Sequence, residues 1–135
     1  MAPRRNTCIL LVDSDVLMLD LLKISMKGRG YKLVTATDGR EAMQAVQQHT
    51  PDLILLELML PVMDGVSLLR WLDAEHDMEI PVLVLTALDR PGIYDTVHGL
   101  GVAGLVYKPV RRKQLLKQVR QVLDAPLPAK TLAAG

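Results

Sequence analysis

Apolar residues in this chain gather into five short runs, at residues 7–12, 32–36, 53–56, 80–85 and 104–107. Three are nearly continuous: Ile9-Leu10-Leu11-Val12, Leu53-Ile54-Leu55-Leu56 and Val82-Leu83-Val84-Leu85. Runs of that kind suit strands of a parallel sheet that are covered on both faces. Segments of helical period alternate with them. In 16–27 the residues Leu17, Leu21, Leu22 and Ile24 are expected to share one face, and Gly28 and Gly30 then stop the helix. Ala42, Ala45 and Val46 mark 39–49, Leu68, Leu69 and Leu72 mark 65–75, and Leu115, Leu116, Val119, Val122 and Leu123 mark 111–123. The segment 91–100 predicts the weakest helix, because Gly92 and Gly99 each cost about 1 kcal/mol against alanine. Five alternating pairs imply an α/β fold, a doubly wound five-stranded parallel sheet with helices on both faces. Residues 1–124 form the expected domain. From 125 to 135, Pro126, Pro128 and Ala133-Ala134-Gly135 suit a flexible tail or linker.

Composition narrows the classes of function. At 135 residues and 50% hydrophobic content the chain can bury one core. Sixteen Lys and Arg against fifteen Asp and Glu leave a net charge of +1, so no global field favours nucleic acid. Asp13 and Asp15 interrupt the N-terminal apolar run, and no stretch approaches the roughly 18 apolar residues of a membrane span. Met1-Ala2-Pro3-Arg4-Arg5 is basic but leads to no cleavage site of the secretory kind. Cys8 is the only cysteine, suited to a small buried position in the first strand and to a reducing cytoplasm. The expectation is a cytoplasmic domain that engages neither membrane nor nucleic acid.

Ligands of open α/β sheets sit beyond the carboxyl ends of the strands. Those ends carry Asp13 and Ser14, Glu57, Thr86 and Ala87, and Lys108 followed by Pro109. Two acids, two hydroxyls and a lysine therefore converge from four strands. The phosphate loop G-x-x-x-x-G-K-[ST] is missing, and the G-x-G-x-x-G spacing of Gly99, Gly101 and Gly104 leads into an apolar strand run instead of from a strand into a helix, which disfavours a nucleotide or flavodoxin-type redox enzyme. No histidine stands at a strand end to serve Ser14 or Thr86 as a base, which disfavours a hydrolase triad. No enzymatic activity is expected.

These residues resemble the receiver domains of bacterial two-component response regulators. The likeness rests on Ile9-Leu10-Leu11-Val12-Asp13-Ser14-Asp15, Pro51-Asp52-Leu53-Ile54-Leu55-Leu56-Glu57, Leu60-Pro61-Val62-Met63-Asp64-Gly65, Leu85-Thr86-Ala87 and Tyr107-Lys108-Pro109. The stretches occur in the family's order and spacing and cover about residues 7–123. The resemblance implies a flavodoxin-like fold with strand order 2-1-3-4-5 and a cis bond before Pro109. It also implies phosphoryl transfer from a histidine kinase to an aspartate at the Glu57 position, and Mg²⁺ held by a pair of acids after the first strand. A lysine at the Lys108 position would pair with the phosphoryl charge, and a hydroxyl at the Thr86 position would bond a phosphoryl oxygen.

Three departures bear on that chemistry. Glu57 replaces the acceptor aspartate, and its extra carbon displaces the carboxylate by roughly 1.5 Å. Phosphoryl transfer depends on finer positioning than that. Ser14 replaces one of the paired acids, which leaves Asp13 and Glu57 as weak ligands for Mg²⁺. Asp15 could compensate, although a helix N-cap already occupies it. Leu105 stands where the family places a switch aromatic, and Tyr107, at another offset, is expected on the other side of the strand. The expectation is an atypical receiver that works by protein contact, largely without aspartyl phosphorylation and without a cofactor. The alternative is a phosphoryl-accepting receiver with an altered Mg²⁺-dependent site. Glu57 could reach Lys108 and mimic the phosphorylated arrangement, or the two could neutralise each other in a retired pocket. An output face would comprise Tyr94, His98, Leu105, Tyr107, Arg111, Arg112 and Lys113. Its partners would be an output domain or other protein, with a histidine kinase and a second copy as candidates. Trp71 is expected to pack partly on the core, and His49, His76 and His98 to have no special role.

Overall fold

The computed structural model describes residues 7–75 and 79–125. The tail from 126, the basic N-terminal stretch and His76 lie outside them. The elements alternate as β1 (Cys8–Val12), α1 (Val16–Met26), β2 (Lys32–Ala36), α2 (Gly39–His49), β3 (Leu53–Leu56), α3 (Gly65–Glu75), β4 (Val82–Thr86), α4 (Ile93–Gly99), β5 (Gly104–Tyr107) and α5 (Arg112–Asp124). All four strand pairings are parallel, in the order β2-β1-β3-β4-β5. This is the doubly wound, flavodoxin-like arrangement.

The strand pattern explains why helices cover both faces. In β1, Leu10 and Val12 join one core cluster, with Ala42, Val46, Leu68, Ile93 and Val97 of α2, α3 and α4. Ile9 and Leu11 join the other, with Leu19, Leu22, Met26, Leu115 and Val119 of α1 and α5. The strand period of two sends neighbours to opposite faces, so a strand packed on both sides is apolar throughout. All residues of β1, β3 and β4 are buried, whereas the edge strand β2 buries only Ala36. Cys8 is buried, as expected, and its amide donates to Asp52 Oδ2 at 2.8 Å, which ties the starts of β1 and β3 together.

Helix starts follow local chemistry. Asp15 caps α1 by accepting from the Leu17 amide, Asp38 caps α2 from the Glu41 amide, and Asp64 accepts from the Ser67 amide in the first turn of α3. A side-chain oxygen in these places satisfies an amide that the helix leaves without a partner. Gly92, at φ 85°, begins α4 in the left-handed region, so this short helix starts two residues later than expected. β4 likewise begins at Val82 rather than residue 80.

One expectation is corrected on α1. Leu17, Leu21 and Ile24 do lie together, but they point to solvent, exposed by 66%, 52% and 66%. Of the four residues assigned to the core face only Leu22 is buried, beside Leu19 and Met26. The helix is apolar on both faces, so periodicity alone could not choose between them.

Val62, at φ 68°, is held in the left-handed region although its branched Cβ disfavours it, and its side chain is exposed. Replacing it by asparagine, which tolerates that region, removes the strain without loosening the unfolded chain. Val62→Asn is expected to stabilise the domain by about 0.5–1 kcal/mol, measured by urea denaturation. An unchanged or lowered midpoint would contradict this.

Candidate functional site

The carboxyl ends of β1, β3, β4 and β5 bring Asp13, Glu57, Thr86 and Lys108 together. Asp13 and Glu57 are 3% and 5% exposed, and Thr86 is fully buried. Two carboxylates at such depth need a counter-charge, since an unpaired buried charge is expensive. Lys108 supplies it. Its Nζ lies 2.6 Å from Asp13 Oδ2 and 2.9 Å from Glu57 Oε1.

Every oxygen of the two acids receives a donor from the chain itself. Asp13 Oδ1 accepts from the Asp15 amide at 2.9 Å. Glu57 Oε2 accepts from the amides of Leu58 at 2.7 Å and Met59 at 3.4 Å, while Oε1 also accepts from the Ala87 amide at 3.4 Å. The Thr86 hydroxyl donates to the Glu57 carboxylate and accepts from the Leu88 amide at 3.0 Å. Charge-assisted bonds of this kind are the stronger sort. The Glu57 backbone is held too, its amide bonded to the Val12 carbonyl at 3.0 Å.

Burial by itself would raise the Glu57 carboxyl. Hydrogen bonds from Thr86 and Lys108, the Lys108 charge and the Leu58 amide outweigh it and hold the group below its ordinary value of 4.5. Burial likewise works against the charged Lys108, but its bonds to Asp13 and Glu57 and their two negative charges leave it above its ordinary 10.5. Glu57 and Lys108 are therefore both charged near neutral pH.

The remaining expected positions divide in two. Ala87 is exposed but contributes its amide, and Pro109 follows a cis bond from Lys108. Ser14 is exposed and takes no part in the network around Lys108, and Asp15 serves as the α1 cap. Leu105 packs in part against the core on the α4 side. Tyr107 is 42% exposed. Both lie in β5 two residues apart, so they share a face, and the expectation that Tyr107 lies across the strand from Leu105 is corrected. Tyr94 and His98 stack one helical turn apart, with ring centroids at 5.5 Å, a contact not foreseen for His98. Arg111, Arg112 and Lys113 are exposed at the start of α5, where no acid and no side-chain cap offsets the helix dipole. Trp71 packs partly on the core, as expected.

The sequence reading missed the Leu58 and Met59 amides. The Asp64-Gly65 pair was the available signal, because a Cβ at Gly65 would lie 2.6 Å from Leu58 Cα and 2.8 Å from the Glu57 carbonyl oxygen. Only glycine lets α3 begin so close to the turn that presents those amides.

A divalent cation, which this kind of site implies, fits these residues poorly. It wants several anionic oxygens, and Asp13 and Glu57 have theirs committed to Lys108 and to amides, with a serine at the third place. Among the described residues no group of three or more His, Cys, Asp or Glu is placed to hold a metal.

A flavodoxin-like sheet with an aspartate, a hydroxyl and a lysine gathered at its carboxyl edge defines a signalling module of the receiver type. The chain belongs to the response regulator receiver domain family, whose model matches residues 9–120. It is 38% identical over 131 residues to the DNA-binding response regulator MtrA of Mycolicibacterium smegmatis, a match covering 94% of this chain and 56% of that protein. It is 34% identical over 120 residues to the alkaline phosphatase synthesis transcriptional regulatory protein PhoP of Bacillus subtilis, covering 87% of this chain and 49% of that one. The chain thus spans about half the length of these relatives. Among solved structures it resembles the signal receiver domain of a LuxO repressor protein from Vibrio parahaemolyticus, with TM-score 0.83 and 27% identity over 87% of this chain and 90% of the other. It also resembles a chain of the CheX–CheY–BeF3–Mg²⁺ complex from Borrelia burgdorferi, with TM-score 0.82 and 26% identity over 90% and 92%. No helix among the described residues is long and apolar enough to cross a membrane.

Removing the bridge should be costly. Lys108→Met leaves two buried carboxylates facing each other and is expected to destabilise the domain by about 3 kcal/mol in denaturant titration at neutral pH. The pH dependence follows from the two directions. The depressed Glu57 contributes stability that is present above its ordinary 4.5 and lost as pH falls through its lower folded value. The raised Lys108 contributes stability that is present below 10.5 and lost as pH climbs past its folded value. Glu57→Gln should therefore make the acid limb of the stability–pH curve shallower. An acid limb of unchanged steepness would contradict the assignment.

Proposed function

We propose that this receiver domain transmits its signal by protein–protein contact from one fixed state of its pocket, largely independent of phosphorylation and of Mg²⁺. The observation that carries this reading is the Lys108 ammonium lodged between Asp13 and Glu57, with all four carboxylate oxygens already bonded within the chain. The longer glutamate takes for itself the lysine and the threonine hydroxyl that would otherwise meet a phosphoryl group. An incoming phosphoryl donor would have to break those bonds and add negative charge to a pocket that retains two acids. The domain acts as a binding module, and the replacement of the acceptor by Glu57 makes it an atypical receiver.

The contact surface consists of α4, β5 and the start of α5. There Tyr94, His98 and Tyr107 offer exposed rings beside Arg111, Arg112 and Lys113, a combination suited to an acidic protein partner or to an output domain. The basic residues sit against the dipole of α5, so helix stability does not account for them. Thr86, which holds Glu57, ends the strand paired with β5, and Leu105 inside β5 leans on the α4 side of the core. The state of the pocket is thereby joined to the surface that a partner would read.

Beryllofluoride with Mg²⁺, present in the complex from B. burgdorferi, is a direct probe. The unmodified protein is expected to show no saturable amide shift around Glu57 and Thr86 and no label from acetyl phosphate. The Glu57→Asp, Ser14→Asp variant is expected to gain both. If the unmodified protein takes up label as well as the variant does, the site is an altered phosphoacceptor and the reading is wrong.

A further inference from the structure

The outer face of α1 has no role in the pocket or in the α4–β5–α5 surface, yet it is the most apolar exposed feature described. Val16, Leu17, Leu21 and Ile24 are exposed by 62%, 66%, 52% and 66%. At 3.6 residues per turn, Leu17, Leu21 and Ile24 form one seam, spaced four and then three, on the side of the helix opposite Leu19, Leu22 and Met26. Such a face amounts to on the order of 400 Å² of apolar surface, the scale at which a patch marks an interaction site. Helix propensity does not require it, because lysine, glutamate or glutamine would serve as well at exposed positions.

We infer that this seam is a self-association surface, on which α1 of a second copy of the chain packs antiparallel. The pattern of charge selects this occupant. Asp20, Lys23 and Lys27 project from the same flank of the seam, the acid toward the N-terminal half and the bases toward the C-terminal half. In an antiparallel pair each flank meets its own symmetry mate, turned end for end. With Leu21 of one copy against Ile24 of the other, Asp20 falls between the partner's Lys23 and Lys27, and the arrangement repeats across the twofold axis. The flank is therefore self-complementary. A partner of unrelated sequence would not demand both signs in that order.

Two further observations agree. The seam continues past Ile24 into a shallow groove lined by Lys23, Ile24, Met26, Lys27, Tyr31 and Leu33, where the end-for-end arrangement puts the second copy's Leu17. The net charge of +1 gives two copies almost no mutual repulsion, and antiparallel helices oppose their dipoles. The patch is smaller than a standard interface of about 800 Å² per partner, so association belongs in the micromolar range or weaker. The inference does not rest on the proposed function, since none of these residues takes part in the pocket network.

Sedimentation across a concentration series reaching about 1 mM, where weak small interfaces populate, tests it. The unmodified chain is expected to move from monomer to dimer. Leu21→Glu should remain monomeric with an unchanged far-ultraviolet spectrum, because Leu21 contributes nothing to the core. A chain carrying Asp20→Lys and another carrying Lys23→Asp with Lys27→Asp should each associate at least about tenfold more weakly. Mixed in equal amounts, the two should pair with each other. An unmodified chain that stays monomeric throughout would overturn the inference. So would a dimer that survives Leu21→Glu, or charge-reversed chains that fail to pair on mixing.

Discussion

Lys108 is the cation on which the carboxyl edge of the sheet depends. It comes from the last strand and reaches back to acids on the first and third, joining the ends of β1, β3 and β5 with one ammonium group. A buried ion pair seldom stabilises more than an apolar substitute of equal shape. Its effect here is positional. The ammonium offsets the charge of both acids at the ends of buried strands, and the two acids together hold the lysine.

The amides around this centre come from turns, and the turns are shaped by small residues. Gly65 lets α3 begin beside Leu58, so the peptide after Glu57 can turn its amides onto the carboxylate. Thr86 fills the remaining side and carries the contact to the strand paired with β5. The length of the Glu57 side chain is what lets its carboxylate meet Lys108 and these amides together. A receiver fold has two kinds of surface to offer, the rim of its pocket and the outer faces of its helices. In this chain the acids of the pocket are bonded to the chain's own residues.

Much of this was legible in the sequence. The three continuous strands announce burial on both faces, and the strand ends named Asp13, Glu57, Thr86 and Lys108 before any geometry was in view. Asp15 was legible as the cap of α1, because the side chain that caps a helix is local to it. The outer face of α1 was not legible, since a helix apolar on two opposite faces gives periodicity no preferred side, and Leu17, Leu21 and Ile24 were assigned inward. The start of α4 was misjudged because Gly92 takes a left-handed conformation that composition alone does not reveal. The backbone donors to Glu57 escaped notice for a more general reason: amides are common to every residue, and only the turn decides where they aim.

β3 is paired on both sides and buried along its whole length, and the amide of Glu57 is bonded to Val12. The backbone at that place is therefore held from both sides, while the side chain it carries differs from aspartate by a single carbon. Glutamate and aspartate codons are separated by one nucleotide. A single substitution would therefore place an aspartate on the same backbone without disturbing the fold, with Ser14 still standing beside Asp13. The length of that side chain can change while the same sheet maintains the domain's surfaces.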